Sequence, residues 1–144
     1  IVLMKKRIII FSAAMVLLAA TVITASAVEM RSSPTLARYN AKITKGAAGS
    51  GNLVISYDVS ANTEAEEVGV SSIKIYKAET NRYVTTITGS VQNGMIATDT
   101  EWHRSSYTYR GTSGVEYYAV LTVTATIDST TGSKTYTTNS ATAP

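Results

Sequence analysis

Val115-Glu116-Tyr117-Tyr118-Ala119-Val120-Leu121-Thr122-Val123-Thr124-Ala125-Thr126-Ile127 decides the fold. Tyr117, Ala119, Leu121, Val123 and Ala125 fall on one side of a two-residue repeat, and Tyr118, Val120, Thr122, Thr124 and Thr126 on the other. Extended chain sends alternate side chains to opposite faces, and its pleated surface suits β-branched and aromatic residues. The apolar set reads as a core face and the half-polar set as the wet side of an antiparallel sheet. Straight, the 13 residues would span about 43 Å, so this strand must bend or overhang its neighbours.

The same period continues on both sides. Leu53, Ile55, Tyr57 and Val59 alternate with polar residues, as do Tyr39, Ala41 and Ile43, and the small-residue turn from Gly46 to Gly51 separates the two runs. Ile73 and Ile75 mark a third strand with Lys74 and Tyr76 on its other face. Glu79-Thr80-Asn81-Arg82 then turns the chain into a strand over residues 83–88. Tyr107 and Tyr109 carry another, and residues 133–142 return as the last. Residues 61–69, with Glu64, Glu66 and Glu67, read as a loop. Residues 89–104 are the least regular, with a short strand near residues 95–97, and residues 128–132 read as a hairpin loop. About seven short strands without helices predict an all-β, antiparallel, Ig-like β-sandwich over residues 36–144, with a closed barrel as the alternative.

Upstream of this domain the residues have a different purpose. Lys5-Lys6-Arg7 precedes an uncharged apolar run over residues 8–24, which ends in Ala25-Ser26-Ala27. A basic, then apolar, then small-x-small order is that of a secretory signal. Residues 1–27 are expected to be an N-terminal signal helix cleaved at Ala25, Ala27 and Val28, with residues 1–3 upstream of the true start and Met4 the first residue. Residues 28–35 follow as a flexible leader. An uncleaved anchor is the rival reading, since about 17 apolar residues lie at the lower limit for a bilayer span. The expected localisation is secreted or at the cell surface.

The net charge of +3 rests on that signal segment. Three of the 13 basic residues lie in it, leaving ten against ten acidic ones, and no run of Lys or Arg remains downstream. Nucleic acid is therefore not an expected partner. There is no cysteine, so the fold stands on its core without disulfides and carries no lipid-accepting thiol.

Leu53-Val54-Ile55-Ser56-Tyr57 resembles the second strand of a fibronectin type III domain, with Tyr57 in the place of its tryptophan, and residues 117–125 resemble the sixth. Ile73-Lys74-Ile75-Tyr76 and Tyr109-Arg110-Gly111-Thr112-Ser113-Gly114, running into Tyr117-Tyr118-Ala119, are similar to small exported bacterial domains of unknown function from Gram-positive organisms. The resemblance implies a fibronectin type III-like sandwich in which Tyr117 or Tyr118 ties down the loop before its own strand.

Chemistry is sparse. One histidine, His103, and no cysteine leave a tetrahedral zinc site without ligands, and His103 is the only imidazole that could serve a nucleophile as base. No catalytic residue, metal or cofactor is expected. Trp102-His103-Arg104, beside Asp99 and Glu101, is the densest polar-aromatic patch. It reads as Trp102 packing over an edge with His103 bonded to loop backbone, or as a ligand-contact loop. Tyr76 and Tyr118 are out of phase with the apolar sets and are expected to face outward. The chain is thus expected to be an exported, non-catalytic module that binds an extracellular protein or cell-wall glycan, or is structural, and that meets membrane only through an uncleaved signal. Scattered tyrosines would favour protein interaction. A row of two or three exposed aromatics on one sheet would favour carbohydrate binding, because amphipathic rings stack on sugars.

Overall fold

The protein is described by a computed structural model over residues 33–144. The expected signal helix, its cleavage site at Ala25, Ala27 and Val28, and the leader as far as Ser32 lie outside the described residues. Six strands follow in order: β1 (Leu36–Lys45), β2 (Asn52–Lys77), β3 (Arg82–Thr88), β4 (Ile96–Arg110), β5 (Glu116–Ile127) and β6 (Thr130–Thr142). All pair antiparallel within a single sheet, curled into a half-barrel. The curled sheet is a generic sandwich-like fold, but among the described residues its six strands form one sheet rather than the two sheets of about seven strands that the sequence predicts.

The reason lies in β2. Its 26 residues would run about 86 Å if straight, far beyond the diameter of a domain of this size, so the strand bends. The bend falls where Ser60 faces Trp102 and Ala65 faces Thr100, leaving four β2 residues opposite Glu101 alone. Extra residues on one strand bend it and sharpen its twist. On one edge of β2, β1 pairs with the first limb (residues 53–61) and β5 with the second (residues 67–77). On the other edge β4 runs past the bend, and β3 pairs beyond it with residues 72–77.

Residues 61–69 are therefore strand rather than loop. Ala61, Ala65 and Val68 are buried in the core, while Asn62, Thr63, Glu64, Glu66 and Glu67 between them are exposed. Likewise residues 96–104 are the first half of β4, not irregular chain. The turn between β5 and β6 is tighter than its sequence suggests, since Asp128 and Ser129 alone form it, both at positive φ (49° and 64°). Two such residues make the hairpin turn whose twist matches its strands.

The core gathers inward residues of both limbs. Leu53, Ile55 and Val59 from the first, and Val68, Val70, Ile73 and Ile75 from the second, join Leu121 and Val123 of β5 in one buried cluster. The open sides of the curl approach at β1 and β6. There the Asn139 amide takes the place of a ladder rung: its Oδ1 accepts from the Ile43 amide at 3.0 Å and its Nδ2 donates to the Ile43 carbonyl at 2.9 Å. Tyr117 ties down the loop before β5, as its hydroxyl accepts the Thr112 amide at 3.0 Å. Ser33 Oγ accepts the Leu36 amide at 3.0 Å, and Thr35 beside it is buried.

Candidate functional site

The outward face of the second limb carries the aromatic cluster. Ladder register sets Tyr83 of β3, Tyr76 of β2, Tyr118 of β5 and Ser140 of β6 in one line across four strands. Tyr76 and Tyr118, both half-buried, have ring centroids 5.2 Å apart and planes within 7°. Near-parallel rings at that separation are offset rather than face-on, so they lie like overlapping tiles and each leaves part of a face open. Tyr83 meets Tyr76 edge-on at 5.9 Å and is 53% exposed.

Hydrogen bonds hold the row in place. Tyr118 donates its hydroxyl proton to Asn81 Oδ1 (3.2 Å), and the Tyr83 hydroxyl pairs with Thr86 Oγ1 (2.8 Å). Asn81 is at positive φ (54°) in the β2–β3 turn, a conformation asparagine tolerates better than most residues, and this aims its amide back over β5. Beside Tyr118 lies a groove of about 600 Å³, with Asn81, Thr137 and Ser140 among its lining. An aromatic wall therefore borders amide and hydroxyl groups able to donate and accept.

Of the residues singled out in the sequence, Tyr76 and Tyr118 come together, whereas Trp102 and His103 stand apart on β4 beside the first limb. Trp102 does not pack over an edge. It is 58% exposed, with the Arg104 guanidinium 6.0 Å from its ring centre. His103 points to the other side, where its Nε2 donates to the Gly94 carbonyl at 2.7 Å and its ring lies 6.1 Å from Tyr57. Sequence reasoning missed Tyr83. Its signal was the short turn after Tyr76, which folds the next strand back alongside.

Among the described residues, no group of three or more His, Asp or Glu side chains is placed to hold a metal ion. Two tyrosines have raised pKa values. Tyr57, 2% exposed, has no hydrogen-bond partner for its hydroxyl. Burial raises its pKa above 10.0, and Ser105 nearby only eases the shift. Tyr109 is raised as well, by burial and then by the Tyr117 and Tyr107 hydroxyls. Both groups are neutral in folded and unfolded chains below pH 10. Above it the unfolded chain ionises first, so stability present at neutral pH is lost as the pH rises through the folded values. Tyr57→Phe is therefore expected to leave the pH 7 melting temperature unchanged or higher and to soften the alkaline fall. A melting temperature several degrees lower at pH 7 would mean that the hydroxyl is hydrogen-bonded after all.

No protein-family model matches the chain, and no curated protein matches it. Among solved structures, it is similar over 74% of its length, at 10% identity and a TM-score of 0.42, to a family 76 glycoside hydrolase from a bovine Bacteroides thetaiotaomicron strain, of which it covers 20%. It is similar over 78% of its length, at 15% identity and a TM-score of 0.24, to the thioester domain of the Enterococcus faecium TIE86 protein, of which it covers 44%. The chain thus spans less than half of either structure, and neither likeness bears on its function.

Proposed function

We propose that this all-β domain is an exported, non-catalytic module that binds carbohydrate through the Tyr83–Tyr76–Tyr118 row. The observation that carries the reading is the row itself, three tyrosines in one line across adjacent strands. A sugar presents an apolar face of C–H groups that packs on an aromatic face, and a rim of hydroxyls that needs partners. The groove beside Tyr118 offers both, with Asn81, Thr137 and Ser140 at hand for the hydroxyls. Because the rings are braced by one another and by hydrogen bonds, little side-chain freedom is lost on binding. Signal-led secretion would bring this face to extracellular or cell-wall glycans.

The test is isothermal titration against neutral cello-, xylo- and manno-oligosaccharides. Binding of at least one series is expected, weakened about tenfold or more in Tyr118→Ala and in Tyr76→Ala, with the β circular-dichroism signal retained. If no series binds, or if both folded variants bind as the parent does, the row is cross-strand packing and the proposal is wrong.

A further inference from the structure

The first limb has an outward face of its own. Along β1 it carries Arg38 and Lys42, and along β4 Arg104 and Arg110, all exposed. The register places them as two rails on either side of β2. Arg38 lies across Ser60 from Trp102, Asn40 across Asp58 from Arg104, and Lys42 across Ser56 from Ser106. Between the rails runs a trough of about 560 Å³ whose lining includes Lys42, Ser56, Asp58, Arg104 and Ser106. The rails are two strand spacings apart, about 10 Å, and Arg38 to Lys42 covers about 14 Å along the trough.

Charge is segregated here, although residues 33–144 hold nine basic and nine acidic side chains. Asp58 is the one acid among the trough lining, held at 3.0 Å by Arg104. Glu64, Glu66, Glu67 and Glu101 lie at or beside the bend instead. Trp102, 58% exposed, stands at the end of the trough with the Arg104 guanidinium against its ring. More than half of the Trp102 surface is thus open to a partner.

From this arrangement we infer that the trough binds an acidic polysaccharide. Cations on both rails neutralise an anionic chain laid between them, Trp102 stacks on one sugar ring, and the serines meet hydroxyls. Asp58 selects among anionic polymers. A nucleic acid puts a phosphate on every unit and stacks successive bases on several aromatics, whereas this trough has a carboxylate in its floor and one tryptophan. An acidic glycan carries hydroxyls between its charges, and Asp58 is an acceptor for them. The site stands apart from the tyrosine row, so either can fail without the other.

Affinity electrophoresis of the protein through gels containing polygalacturonate, a neutral glucan or single-stranded DNA tests this. Polygalacturonate is expected to retard the protein, progressively less as salt is raised. The apparent Kd is expected to rise about tenfold in Lys42→Gln/Arg104→Gln and in Trp102→Ala. Circular dichroism confirms that each variant is folded. Any one of four results overturns the inference: no retardation of the parent by polygalacturonate, retardation untouched by the trough variants, tighter binding of DNA, or self-association that Lys42→Gln/Arg104→Gln abolishes.

Discussion

Gly69→Ala is expected to remove a large share of the domain's stability at 25 °C. Gly69 lies just past the bend of β2, at φ 153°, in a region that is essentially reserved for glycine. A Cβ there would run into the Met95 carbonyl and the Ile96 Cα, both main chain. Neither can swing away, because the Val70 amide donates to that same Met95 carbonyl at 2.9 Å. Strain of about 1–3 kcal/mol from the dihedral alone, added to a backbone clash, takes up a large share of the stability of about 5–15 kcal/mol usual for a domain. Circular dichroism with urea titration checks this. A variant as stable as the parent would mean that β2 does not pass continuously beside β4 at this point.

Leu121→Ala is expected to cost about 3 kcal/mol, within the range for deleting a fully buried leucine. Leu121 is 0% exposed and pairs with Ile73 of the second limb, in the cluster that also holds Leu53 and Ile55 of the first limb. The adjacent Val120 points outward and is half-buried, so Val120→Ala is expected to cost less than about 1 kcal/mol. Equal losses at both positions would place the core on the wrong face of β5.

These two positions also mark how far the sequence could be read. Alternation alone identified the inward sets of β5 and of the first limb of β2, and Ile73 and Ile75 of the second, because the core sees one residue in two and the sequence shows it. Continuity through the bend was hidden. Glu64, Glu66 and Glu67 look like loop residues because an outward bulge tolerates charge, and what makes them strand is a ladder to β4 some 30 or more positions downstream. The same holds for Asp99, at positive φ within β4.

The site divides in the same way. The outward phase of Tyr76 and Tyr118 follows from their neighbours, but their stacking follows from register. Tyr83 joins them only because the pairing shifts between Ile75 and Tyr76. Arg38, Lys42, Arg104 and Arg110 make no cluster in the chain. Antiparallel pairing of β1 and β4 on opposite edges of β2 gathers them on one face.

The most direct measurement of the central claim is a two-dimensional amide NMR titration of the protein with whichever neutral oligosaccharide it binds. Shifts are expected to concentrate at Tyr76, Asn81, Tyr83, Tyr118 and Ser140, leaving the amides of β1 and of residues 102–110 in place. Saturable shifts that avoid this line of residues, or centre on the other limb, would contradict it.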